Sequence, residues 1–384
     1  MALYLHIPFC AARCAYCDFN TYAGLEDWFG PYIAALAQEA RTAGAQRGRP
    51  PVHTIFIGGG TPTVLPADLL ARGLTACREA FDVAANAEIT SEANPGAVDR
   101  PRFAALRALG VNRLSIGVQS FDDAELRWLG RIHTADEAAA AFRAARAVGF
   151  DNINLDFIYG LPGQSAAAWT RTLARAIALE PEHLSLYSLT IEPGTPLAAQ
   201  VSRGDLAATD DDLAADLYEL ACERLAAAGY EQYEISNWAR ADKAAAQHAH
   251  HQCRHNLVYW RREPYLGFGA GAHSFEAEQR WWNVRPVPEY VARITHGRPA
   301  EAGREVLDRR TAMGEAMMLG LRLVSEGMPD ARFRARFGVG LDEAFGDVIA
   351  RLVGRGLLER LPDRVRLTPT GRLLGNRVFA EFLP

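Results

Sequence analysis

Short apolar runs alternate along the first half of the chain with segments of helical period. Runs at residues 3–7, 52–57, 87–93, 113–118, 152–158 and 183–190 read as strands, each closed by a turn signal. Segments 67–81, 136–148 and 165–179, rich in Ala, Leu and Arg, read as helices between them. Strand and helix in regular alternation predict an α/β fold with parallel strands and right-handed crossovers. Such a sheet either closes into a barrel or stays partly open. In both cases loops gather at the C-terminal edge of the strands, which is where chemistry is expected.

Beyond Gly229 the periodicity weakens through residues 247–282, a stretch rich in His and aromatics with few clear helices. From residue 304 the pattern becomes helix, helix, then residues 357–367 interrupted by the turn Pro362-Asp363, then a helix from Thr370. The predicted organisation is therefore a barrel at residues 1–229, an extension at 230–303, and a small winged-helix-like domain at 304–384. Arginines modestly outnumber acids in that last domain, yet a lid or docking role is the plainer reading.

A chain of 384 residues, 49% of them hydrophobic, can bury one large core and a smaller one. The net charge of -5 argues against a non-specific nucleic-acid binder, which needs a basic surface. No apolar run approaches the roughly 18 residues of a membrane span, and the start MALYLHIPFC lacks the pattern of a signal peptide. A cytoplasmic protein without a transmembrane segment is expected. Of its 6 cysteines, Cys10, Cys14 and Cys17 crowd together, which suits metal ligation better than a disulfide framework.

The segment HIPFCAARCAYCDF places these three at CxxxCxxC spacing directly after the first strand. Three thiolates on a four-iron cluster leave one iron open to chelate the amino and carboxylate groups of S-adenosylmethionine (SAM). An electron passed from the cluster to the sulfonium then yields a carbon radical. A zinc site with His6 as fourth ligand is the alternative at this point.

A sulfonium nucleotide needs more than a cluster. Gly58-Gly59-Gly60-Thr61-Pro62 follows the second strand, and its glycines admit close backbone approach. Glu92 ends the third strand, Gln119 ends the fourth, and Asp156 lies in the fifth, so polar groups recur at one level. Singly each reads as an ordinary strand-end residue; together they describe a pocket. A phosphate loop is excluded, since no GK[ST] follows and GxGxxG is not met.

The motifs HIPFCxxxCxYCDF, GGGTP, SEANPG, RLSIGVQSF, NLDFIYGLPGQ and LTIEPGTP resemble, in this order, the coproporphyrinogen III oxidase-like branch of the radical SAM superfamily. The resemblance runs from Tyr4 to His273 and more weakly beyond. It implies a partial (β/α)6 barrel with a [4Fe-4S] cluster on Cys10, Cys14 and Cys17. It further implies SAM contacts from Tyr4, Gly59, Gly60, Thr61, Glu92, Gln119, Arg131, Asp156 and Thr190. A guanidinium at Arg131 suits a carboxylate.

Two subgroups of that branch differ in function: one decarboxylates coproporphyrinogen III without oxygen, the other is a haem chaperone. The oxidase motif has a further cysteine where this chain has Phe19, and the oxidase carries an extension ahead of the cluster, where only 9 residues precede Cys10. His255-Asn256-Leu257-Val258-Tyr259-Trp260 resembles the HNxxYW motif associated with haem in the chaperone group. The resemblance thus implies haem as a third ligand, His255 as a candidate axial nitrogen, Asn256, Tyr259 and Trp260 beside it, and a haem-accepting partner, a respiratory protein being one candidate. His248, His250, His251 and Cys253 offer other ligands. No CxxCH is present, so non-covalent attachment is expected. Cys77 and Cys222 fall on apolar helix faces and read as core. The expected function is haem delivery, without coproporphyrinogen decarboxylation; the oxidase is the alternative.

Overall fold

The computed structural model describes residues 1–241 and 251–384. Six strands, β1 (Ala2–Ile7), β2 (Pro51–Gly59), β3 (Asp82–Ala93), β4 (Arg113–Gln119), β5 (Ile153–Tyr159) and β6 (His183–Ser188), lie side by side in chain order and all parallel. Helices join them, among them Phe29–Gln46, Ala67–Ala80, Ala135–Ala147 and Ala166–Ala178. Capping fixes the helix starts: Thr134 and Glu137 form a capping box at one, and the Ser165 hydroxyl accepts from Ala168 N–H at another. This is the order of parallel strands and crossover helices expected of a partial (β/α)6 barrel.

Period-two alternation along the strands explains how the barrel is both stable and chemically active. Leu3, Leu5 and Ile7 of β1 are buried with Leu36, Leu70 and Leu74 of the covering helices. Burial of side chains this size contributes about 1.5–3 kcal/mol each. The opposite face carries Tyr4 and His6 on β1, Thr54 and Phe56 on β2, Glu88, Thr90 and Glu92 on β3, Ser115 on β4, and Asn154 and Asp156 on β5. Hydrogen bonds tie this inner face across strands, as in Ser115 to Asp156 at 2.8 Å, Asn154 to Ser115 at 2.7 Å and Ser185 to Asn154 at 3.0 Å. A barrel interior of linked polar groups satisfies itself without water only in part, and leaves room for a ligand.

Past β6 the sheet continues instead of ending. Strands β7 (Tyr230–Glu234) and β8 (Asn237–Arg240) add to one edge. Strands β9 (Tyr265–Phe268), β10 (His273–Glu276), β11 (Gln279–Asn283) and β12 (Glu301–Val306) add to the other, with β9 parallel to β1. The result is a 12-stranded sheet. The stretch that reads as irregular in the sequence therefore holds sheet and a short helix, Arg254–Trp260, packed against β2. Residues His248 and His250 lie outside the described residues.

Helix Arg309–Gly320, β13 (Met328–Pro329), helices Asp330–Phe337 and Leu341–Gly354, then β14 (Leu358–Arg360) and β15 (Arg364–Leu367) give the winged-helix order, with strands arranged β13-β15-β14. Met317, Leu321, Phe333, Leu352 and Val365 form its core, and Phe275 of β10 enters the same core. Cys77 is fully buried, and Cys222 is partly buried against the main core. Among the described residues no helix is long and apolar enough to cross a membrane.

Candidate cluster and nucleotide site

The loop after β1 turns back on itself through a bridge between Phe9 and Tyr22, with Cys10 N–H donating to Tyr22 O at 2.9 Å. Its three cysteines, Cys10, Cys14 and Cys17, are free thiols and half-buried. Each sulfur has its own polar neighbour. Thr61 Oγ1 donates to Cys10 Sγ at 3.7 Å, Arg131 Nη1 to Cys14 Sγ at 3.3 Å, and Cys17 Sγ lies 3.8 Å from Thr21 Oγ1. Burial pushes the Cys10 and Cys17 thiols above their usual pKa, so a bound cation would have to draw off their protons.

His6 is engaged at both ring nitrogens, Nδ1 with Tyr4 OH at 3.0 Å and Nε2 with Asn20 O at 2.9 Å. It has no free nitrogen for a metal, which removes the fourth ligand of the zinc alternative. Among the described residues no three His, Cys, Asp or Glu side chains gather about one point as ligands of a single ion. A cubane makes a different demand, since its thiolates bind different irons.

The glycines after β2 press against this loop. Gly60 N–H donates to Ile7 O and Thr61 N–H to Phe9 O, both at 2.8 Å. A Cβ on Gly60 would stand 2.6 Å from Phe9 O, and Gly59, at φ +108°, has the His6 ring where a side chain would be. Gly59 N–H donates to Glu92 Oε2 at 2.8 Å. Burial and the nearby Asp156 carboxyl nonetheless raise Glu92 to about 8. Asp156, which accepts from Ser115 and Asn154 at 2.8 Å, is raised as well, chiefly by burial. Two buried acids left in this condition are a fitting receptor for a cationic ligand, whose charge would ionise them. The ammonium and sulfonium of SAM are such charges.

Arg131 is not a surface residue. Its guanidinium donates to Gly117 O at 2.8 Å as well as to Cys14 Sγ, with Tyr16 OH at 3.5 Å. Gln119 ends β4 in the left-handed region at φ +67°, and its amide folds over Gly117, where a Cβ would lie 2.8 Å from Nε2. Thr61, Cys14 and Arg131 line a small recess together with Asn94, whereas Tyr4, Gly59 and Glu92 line a cleft of about 580 Å3. Thr190, beyond the end of β6, is exposed. Tyr16 and Asn94 went unmarked as site residues in the sequence, although both stand inside the motifs that carried the resemblance.

The HNxxYW segment is the helix Arg254–Trp260, which enters the barrel interior. The Glu88 carboxylate of β3 accepts from His255 N–H at 3.0 Å and Arg254 N–H at 3.1 Å, capping the helix. His255 is buried, with Nδ1 at 2.9 Å from Thr54 Oγ1 and Nε2 at 2.9 Å from Tyr259 OH. Burial lowers its pKa to about 3. Both ring nitrogens of His255 are thus hydrogen-bonded within the protein. Tyr259 stands in front of it and lines the cleft, and Trp260 packs under the Arg322 guanidinium at 4.4 Å. Asn256 occupies the half-buried face of the same helix. Cys253 is fully buried at the helix start, 3.7 Å from Glu88.

The description "Radical SAM superfamily" matches residues 4–176, and "HemN C-terminal domain" matches residues 307–374. A Mycobacterium tuberculosis protein named "Heme chaperone HemW" is 41% identical, with 99% of this chain and 94% of that protein covered. Its Bacillus subtilis namesake is 39% identical, with 99% and 98% covered. The solved coproporphyrinogen III oxidase (HemN) of Escherichia coli has the same fold, with a TM-score of 0.84 and 26% identity over 99% of this chain and 89% of that one. The chain thus belongs to the radical SAM superfamily and, within it, to the family of the haem chaperone HemW proteins.

Proposed function

We propose that this protein binds haem in the cytoplasm and passes it to an acceptor protein, a respiratory protein being one candidate, as a haem chaperone carrying a [4Fe-4S] cluster and SAM. The observation that carries this reading is end-to-end similarity to proteins of that name, at 41% and 39% identity. Cys10, Cys14 and Cys17 would hold the cluster. When bound, it supplies an electron for the sulfonium and an open iron for the amino-acid end of SAM. Gly59, Gly60 and Thr61 let the backbone approach that end, Glu92 and Asp156 balance its positive charge, Arg131 faces its carboxylate, and Tyr4, Gln119 and Thr190 complete the pocket. Tyr259 would offer its ring to haem, with His255 holding that ring in place through the 2.9 Å hydrogen bond and Asn256 and Trp260 seating the helix.

The oxidase reading rests on the fold shared with HemN. Phe19 weighs against it: a solvent-facing phenylalanine, 63% exposed, stands where the oxidase motif has another sulfur. One anaerobic preparation separates the two. Reconstituted protein is expected to bind haem, transfer it to an apo-acceptor, and leave coproporphyrinogen unchanged in the presence of SAM and reductant. Protoporphyrinogen formation at enzymatic rates, without haem transfer, would overturn the chaperone reading.

A further inference from the structure

The wide cleft beyond Glu92 contains one imidazole with no structural duty. His273 opens β10 and pairs directly across from Trp282 of β11. The two rings stack, with centroids 5.8 Å apart and planes 25° from parallel. Trp282 in turn lies over Gly303 of β12, where any Cβ would collide with the indole. The indole is thereby held flat on the sheet and presents His273 to the cleft. Among the described residues neither nitrogen of His273 meets a hydrogen-bond partner, and its side chain is exposed. His6, also in the cleft, and His255, behind Tyr259, have both nitrogens committed.

The remaining walls suit a flat aromatic ligand with an acidic edge. Phe19, Tyr259 and Tyr265 line the part of the cleft beyond the SAM residues Tyr4, Gly59 and Glu92, and the cleft as a whole measures about 580 Å3, within the range that holds a cofactor. Arg285 stands at the rim, exposed, and among the described residues it meets no carboxylate. Its backbone is pinned to the cluster loop, since Asn20 Nδ2 donates to Arg285 O at 3.0 Å and to Ala270 O at 3.0 Å. Partial burial and the positive charges of Arg280 and Arg285 lower the pKa of His273, so its ring is neutral and keeps a lone pair at neutral pH.

We propose that His273 supplies the axial nitrogen to haem iron, with Trp282 as a positioning residue and Arg285 pairing with a carboxylate arm of the porphyrin. This rests on the haem-chaperone reading and moves the ligand from the HNxxYW helix to the facing strand. The test uses the full chain with its cluster reconstituted anaerobically, titrated with ferric haem and read by Soret absorption and electron paramagnetic resonance. Wild type is expected to show a nitrogen-ligated spectrum. His273→Ala should lose it, and free imidazole should restore it; Arg285→Ala should weaken binding while keeping the spectrum. Because His273 is exposed, iron content and circular dichroism of the alanine variant should match wild type, which separates ligand loss from misfolding. A wild-type spectrum in His273→Ala overturns this assignment and leaves the chaperone reading standing. Absence of haem binding by wild type overturns both.

Discussion

Arg131 donates to the sulfur of Cys14 at 3.3 Å while a second nitrogen holds Gly117 O at 2.8 Å, so one guanidinium links the cluster loop to the end of β4. A fixed positive charge beside a cluster thiolate favours the reduced, more negative cluster. Arg131→Ala is expected to keep its iron but shift the cluster midpoint potential to more negative values, measured by redox titration with resonance detection. SAM affinity should fall about 10- to 100-fold, matching about 1.5–3 kcal/mol for a charge-assisted hydrogen bond. An unchanged potential would place the guanidinium's effect on SAM alone.

Cys14→Ala removes the thiol that meets Arg131. Two thiolates hold a cubane poorly, so anaerobically purified variant should be nearly free of iron and acid-labile sulfide. Cys222→Ala is the matched control, because that thiol faces Gln232 and Tyr218 far from the loop. Equal iron in the two variants would remove Cys14 from the ligand set.

Glu92, raised to about 8 by burial and Asp156, is mostly protonated in the free protein at neutral pH. A cationic ligand requires it ionised. Binding therefore releases a proton, and affinity for SAM should climb as pH rises towards about 8 and level off above it, by up to about tenfold per pH unit. Calorimetry in buffers of different ionisation enthalpy measures the released proton directly. In Glu92→Gln the slope should flatten along with loss of much of the affinity.

Strands β1 to β6 were legible because their outer residues are mostly apolar, and the pocket level was legible because Glu92, Gln119 and Asp156 end or interrupt those runs. Register then explains why they meet: Glu92 pairs with Ser115, and Gly117 with Asp156. Strands β9 to β12 were not legible. They are four to six residues long, about half of their positions are polar, and only β11 and β12 are separated by an amphipathic helix, Val287–Thr295. His273, Trp282 and Arg285 went unmarked for the same reason, since only pairing across β10 and β11 brings them together. His255 shows the opposite case. Its motif was conspicuous, yet no sequence reveals that Thr54, 201 positions away, takes one of its nitrogens.

The burial of His255 also governs how stability depends on pH. His255→Gln removes an imidazole bonded to Thr54 and Tyr259 at 2.9 Å each, leaving buried hydroxyls poorly matched, at an expected cost of about 2–4 kcal/mol at pH 7.5. Folded His255 titrates at about 3, whereas the unfolded side chain titrates near the ordinary histidine value of 6.5. Between these two values the unfolded chain binds the extra proton. The wild-type advantage is therefore full above about pH 6.5 and shrinks as pH falls below it, by up to about 1.4 kcal/mol per pH unit. Urea unfolding of both proteins from about pH 7.5 down to pH 5 measures the difference. A gap that stays constant over that range would mean that His255 titrates in the fold as it does in the unfolded chain, and that burial does not depress it.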